Sequence, residues 1–198
     1  MRAPKQDTAV RQEQIAQAAL ELVAEDGLKS LSVASLAERV GLVPSGLYRH
    51  FKDKEAIVDA VLDLIERRLL ANVTAVCEEE SEPLVCLRQL LERHVWLICD
   101  NTAIPKVVFS DQIFTSDRAK AARLYQIISG YLRKVGGLIE GGQRAGSIRD
   151  DVDPETLSVM FLGLIQPAAI LWHASGGTFD LLHHADRAWH VYAESISL

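Results

Sequence analysis

The chain has 198 residues, 48% of them hydrophobic and 24% charged, with a formal net charge of −6. That is enough chain for a sizeable buried core and the balance of an ordinary soluble protein. The opening MRAPKQDTAVRQEQ has no apolar run before its first charges, which excludes a signal peptide. Three cysteines at irregular spacing (Cys77, Cys86, Cys99) without a CxxC point away from a disulfide framework and toward a reducing cytoplasm.

The first helix ends in Glu25-Asp26-Gly27, and the stretch that follows, VASLAERVGLVPSGLYRHFKDK at 33–54, is the most informative in the chain. Val33, Leu36, Ala37 and Val40 fall at i, i+3, i+4 and i+7, one apolar stripe on a helix. Ser32 stands before them as an N-cap, and Gly41 follows them where a left-handed turn is cheap for glycine. Pro44 opens a second helix only about two turns long, through Leu47, Tyr48 and Phe51. So short a helix cannot stand alone in water. Leu47 and Phe51 therefore pack on the preceding helix, and Ser45, Gly46, Tyr48 and Arg49 face outward. Two short helices around a glycine turn form a helix-turn-helix DNA reader. Small residues let the backbone approach a duplex, Arg donates to phosphate or guanine, and a Tyr hydroxyl reaches phosphate.

These residues resemble the DNA-binding domain of TetR-family transcriptional repressors. The resemblance rests on the EDG helix end, on S-V-x-x-L-A-x-x-V-G from Ser32 to Gly41, and on L-Y-x-H-F-x-x-K-E from Leu47 to Glu55, and it covers roughly the first 60 residues. It implies that Tyr48 and His50 contact the phosphate backbone, that Phe51 belongs to the domain core, and that Lys54 begins the fourth helix near the DNA. Where the family usually has Ser or Thr, this chain has Val43, so the short helix starts on Pro44 without a side-chain cap. The candidate DNA contacts are Ser32, Ser45, Gly46, Tyr48, Arg49, His50, Lys52 and Lys54. Residues 1–54 carry a net charge of +1 and residues 55–198 a net charge of −7. The cations that matter are placed rather than numerous: Arg2, Lys5 and Arg11 on an N-terminal arm, and Arg49, Lys52 and Lys54 around the end of the reading helix. Few phosphate contacts per subunit mean that affinity comes from two subunits acting together, which predicts a dimer.

Beyond residue 54 the pattern is helical throughout. A fourth helix runs from about Lys54 to Cys77 or a little beyond, closed by the acidic run before Pro83. Leu84, Leu87, Leu91, Val95 and Ile98 mark a fifth, a short sixth follows Pro105, and a seventh runs from Ser116 into GGQRAG at 141–146. Asp153 caps and Pro154 opens an eighth, kinked at Pro167 and reaching about Ala174, and a ninth spans about Phe179 to Ile196. The expected fold is all-α, a three-helix DNA-binding domain over 1–54 and a larger helical regulatory and dimerisation domain over 55–198, with the nine helices that the resemblance implies.

The eighth helix is apolar almost all round, so it must be covered on several sides, one of them by a twin. The longest uncharged stretch, Thr156 to Phe179, is interrupted by Gln166, Pro167 and a glycine pair, so a buried helix fits it better than a membrane span. With the ninth helix it forms half of an intermolecular four-helix bundle, as the resembled family dimerises. Trp96, Phe109, Phe114, Tyr125, Phe161, Gln166 and Trp172 are candidates to line an effector cavity. The late histidines do not form an i, i+4 pair on one helix face, and no GxSxG, P-loop or dinucleotide fingerprint occurs, so neither a metal, a cofactor nor an enzyme is expected. Two functions remain. One is a cytoplasmic dimeric repressor released from a double-stranded DNA operator by a small, mostly apolar effector. The alternative is a DNA-binding adaptor or nucleoid-associated protein without an effector.

Overall fold

The computed structural model describes residues 8–114 and 118–198. In chain order the helices are α1 (Thr8–Asp26), a 3-10 turn (Leu28–Ser30), α2 (Val33–Arg39), α3 (Pro44–Leu47), α4 (Lys54–Glu79), α5 (Pro83–Asp100), α6 (Ala103–Val108), α7 (Asp111–Phe114), α8 (Arg118–Ala145), α9 (Pro154–Gly163), α10 (Gln166–Ala174) and α11 (Leu181–Ile196). The fold is all-α. Among the described residues the sole β-type pairing is an isolated antiparallel bridge, Ile148 to Ser197. Counting α9 and α10 as one broken helix, and setting aside the single turn α7, gives the nine expected.

Local chemistry sets the boundaries. The Ser32 hydroxyl accepts from Ser35 N and the Ser35 hydroxyl from Ser32 N, a reciprocal capping box on α2. Asp53 Oδ1 accepts from Ala56 N at 2.8 Å at the start of α4, and Asp153 does the same for Thr156 at the start of α9. Expected as one kinked helix, residues 154–174 instead break into two between Gly163 and Gln166. Pro167 has no N–H to give the Gly163 carbonyl, and the backbone N–H groups of Leu164 and Ile165 tighten onto Phe161 and Leu162. The whole stretch is long and apolar enough to cross a membrane by composition. Here Leu157, Phe161, Leu162, Ile165, Ala168 and Ala169 are buried in a helical core.

The chain divides into two compact units: residues up to Arg67 with Asn101–Leu124, and Arg68–Asp100 with Tyr125–Leu198. The first unit is not a linear N-terminal segment. Its core, with Ile15, Leu20, Leu36, Leu47, Ile57, Leu62 and Ile65 fully buried, also takes in Val107 and Ile113. α6 packs along α1, and Lys106 Nζ donates to the Ala24 carbonyl. The first turns of α8 are tied to α4 by ions. Lys120, almost wholly buried, bridges Glu55 at 2.8 Å and Asp59 at 3.3 Å, and Arg123 bridges Asp63 at 2.7 Å and also reaches Glu66. Burial works to lower the Lys120 pKa, but the hydrogen bonds that its ammonium donates to Glu55 and Asp59, with their charges, outweigh it and raise it.

The second unit packs Leu87, Leu90, Leu91 and Val95 of α5 against Tyr131, Val135 and Ile139 of α8 and against the inner faces of α9, α10 and α11. Tyr192 of α11 donates from its hydroxyl to the Leu157 carbonyl at 2.8 Å. Gly142 makes room for Ile148, because a Cβ there would stand 2.5 Å from its side chain. Cys86 is buried and Cys99 half-buried, and burial raises both thiols above their ordinary pKa. Cys77 is exposed.

Removing Arg123 leaves Asp63 and Glu66 solvated but repelling each other. Arg123→Ala is expected to lower unfolding stability by about 1 kcal/mol in low-salt urea titrations. The deficit should shrink in about 1 M salt, where the screening length falls to about 3 Å.

Candidate nucleic-acid interface

The first unit presents α3 as a surface helix held from behind. Leu47 is fully buried and Phe51 nearly so, while Ser45, Tyr48, Arg49 and Lys52 are exposed in the same short stretch. Val43 provides no side-chain cap, and Pro44 takes the first helical position. Gly41 between α2 and α3 has φ +66°, the left-handed conformation in which a side chain is strained, and Leu42 N closes the turn onto the Ala37 carbonyl at 2.8 Å.

The eight candidate contacts all fall in this unit, and their circumstances differ. Tyr48 is 53% exposed, and among the described residues Arg49 has no ion-pair partner. A Cβ on Gly46 would meet Val43 and Leu42 only at 3.7–3.8 Å, so the fold itself does not demand glycine there. Lys52 lies 3.9 Å from Asp53, and Lys54 opens α4 half-buried. The Ser32 hydroxyl is engaged in its capping box. His50 is half-buried, with Nδ1 shut away from solvent and unpartnered.

Arg11, expected on an N-terminal arm, lies inside α1, and its guanidinium donates to the Val40 carbonyl at 3.1 Å. Arg2 and Lys5 lie outside the described residues. Arg39 is spent on Glu25 at 2.6 Å, which ties α2 to α1.

A short helix held by two buried apolar side chains behind an exposed face bearing Tyr48 and Arg49 has the form of a helix-turn-helix, and the comparisons with known proteins agree. The model for bacterial regulatory proteins of the tetR family matches residues 15–61, and that for the YsiA-like protein C-terminal region matches residues 62–195. This chain belongs to the TetR family. It is a DNA-binding transcriptional regulator. Among its relatives the fatty acid metabolism regulator protein of Bacillus subtilis (strain 168) is 23% identical over 172 residues, 85% of this chain and 87% of that one. The nucleoid occlusion factor SlmA of Sodalis glossinidius (strain morsitans) is 30% identical over 129 residues, 63% of this chain and 65% of the other. Among solved structures, the regulator FadR from Bacillus subtilis in complex with stearoyl-CoA superposes with a TM-score of 0.78 at 21% identity, covering 91% of this chain and 96% of that one.

Of the seven side chains expected around an effector cavity of this TetR-family regulator, Trp96 and Tyr125 of the second unit line separate grooves. Phe109 and Phe114 belong to the first unit, Phe109 exposed and the Phe114 side chain outside the described residues. In the second unit Trp96 is exposed and lines a groove of about 220 Å³ between α5 and α11, with Trp189 and Arg88. Tyr125, 71% exposed, lines a different groove of about 580 Å³ between α8 and α9. Phe161 is packed in the core, and Gln166 and Trp172 are half-buried. Helical spacing put these rings on helices without telling which faces turn inward. Sequence reasoning did not pair His94 with Tyr131. His94 Nδ1 lies 3.1 Å from the Tyr131 hydroxyl, their rings edge to face at 5.3 Å, both buried in the apolar core of the second unit.

Burial pulls the His94 pKa from 6.5 to about 4. Between those values the unfolded chain takes up a proton that the folded chain refuses, so stability falls as pH drops through that window. Urea titrations across it should show a loss of up to about 3 kcal/mol attributable to this group. A His94→Gln variant should show a correspondingly flatter profile.

Proposed function

We propose that this TetR-family regulator acts as a homodimeric repressor that reads a near-palindromic operator through α3 and leaves it on binding an effector of the long-chain acyl-thioester class. The observation that carries the effector class is the fold shared over 91% of the chain, at a TM-score of 0.78, with a FadR that holds stearoyl-CoA. Sequence similarity to a fatty acid metabolism regulator spans 85% of the chain and that to nucleoid occlusion factors 63% to 94%, so it is the bound acyl-CoA and not the extent of likeness that favours this class.

In this reading Ser45 and Gly46 let the α3 backbone approach the duplex, Gly46 being kept small for the DNA rather than for the fold. Tyr48 and His50 donate to phosphate oxygens, Arg49 to phosphate or a guanine edge, and Lys52 and Lys54 to the flanking backbone, with Ser32 at the start of α2. An unpartnered buried Nδ1 is least costly without a proton, which places the proton of neutral His50 on Nε2 as the donor.

The dimer forms through α9, α10 and α11. Val159, Met160, Ile170 and Leu171 are each about half-exposed, and Gly163 between them has open space where a Cβ would stand. Such a pair sets two reading helices about 34 Å apart, one turn of the duplex. The effector's apolar part is received in the second unit near Phe161, Gln166 and Trp172, with His94 and Tyr131 supplying polar groups. A coupling of about 1–3 kcal/mol between effector and operator suffices for release.

In gel shifts on the DNA flanking its own gene, stearoyl-CoA should release the protein and free coenzyme A should not. Tight binding that survives a wide panel of acyl thioesters and other apolar compounds would favour the adaptor reading instead. Tyr48→Ala and Arg49→Ala should each weaken binding by about tenfold or more while sedimentation still shows a dimer. Normal binding by both variants would remove α3 from the groove.

A further inference from the structure

The segment from Val40 to His50 contains the turn and all of α3, and its two ends are held by consecutive residues of α1. Arg11 Nη2 donates to the Val40 carbonyl at 3.1 Å, and Gln12 Nε2 donates to the His50 carbonyl at 2.9 Å. Both contacts are partly buried, and both acceptors are main-chain oxygens. Val40 is the C-cap of α2, and His50 follows the end of α3. Carbonyls at helix ends lack an intrahelical donor, and here α1 supplies it. Arg11 is itself braced, Nη1 donating to Gln14 Oε1 at 2.9 Å.

The apolar anchor does not do this job. Leu47 and Phe51 hold α3 down, but burial is non-directional and lets a four-residue helix slide or roll on its bed. A hydrogen bond to a fixed carbonyl loses strength steeply once its angle departs from linear, so two of them, one at each end, fix the height and roll of the segment. Reading base edges requires placement to within about half an ångström.

We propose that Arg11 and Gln12 are positioning residues for DNA reading, setting the pose of α3 through the Val40 and His50 carbonyls without touching DNA. The proposal rests on α3 being the groove helix, a point tested separately by whether the wild type enriches any duplex and by the Tyr48→Ala variant.

The probe is a duplex enriched by the wild-type protein from a randomised pool, compared with a scrambled duplex of the same composition. Measurements are made at a temperature where circular dichroism shows every variant fully folded. Gln12→Met and Arg11→Met should each weaken binding to the enriched duplex by about tenfold while binding to the scrambled duplex barely changes. The salt dependence of binding should keep its wild-type slope, because no phosphate contact is lost. Arg11→Lys, which keeps a donor, should restore most of the discrimination. Should Gln12→Met fail to fold, Gln12→Glu removes the donor at the same size and is read in its place. An unchanged ratio between the two duplexes in the Gln12 and Arg11 variants overturns the proposal. So does a shallower salt slope with equal weakening on both duplexes, which would make Arg11 a phosphate contact.

Discussion

A reading helix of four residues cannot hold its own shape, and the first unit is organised around that fact. Pro44–Leu47 has no side-chain cap at Val43 and only two buried side chains, Leu47 and Phe51, to fix it. Its backbone conformation comes from Pro44 and from the left-handed turn at Gly41, and its seat comes from α2, which packs in turn on α1. So short a helix leaves Tyr48 and Arg49 exposed, as the proposed contact with a duplex requires.

The support behind that helix is drawn from distant parts of the chain. α6 lies along α1, and Lys120 and Arg123 from the start of α8 close on four carboxylates of α4. α4 and α8 are also the helices that continue from the first compact unit into the second. Their ion pairs sit on the portions belonging to the reading unit. A charge cluster of this kind specifies register, because each cation meets acids one helical turn apart, while its net contribution to stability stays modest.

In the second unit the balance is reversed, with a large apolar core and very little polar chemistry inside it. The His94–Tyr131 pair stands out there, both side chains held neutral by burial. The outward face of α9 and α10 carries Val159, Met160, Ile170 and Leu171, each about half-exposed, and it is the face assigned to the proposed dimer.

Much of this was legible in the sequence. Helix positions followed from capping residues and period, since Ser32, Asp153, Pro44, Pro154 and Gly41 act on their own neighbours within a turn. The buried anchors Leu47 and Phe51 followed from the shortness of their helix. Glu55, Asp59, Asp63 and Glu66 stand at helical spacing, but their partners lie some sixty residues away and nothing local names them. For the same reason Arg11 read as a free cation until folding brought the Val40 carbonyl to it, and seven large side chains read as one cavity until the packing turned Trp96 and Tyr125 outward. Short-range hydrogen bonding and periodicity are written in adjacent residues. Which face a helix buries, and which carbonyl a distant donor finds, is decided only when the helices pack.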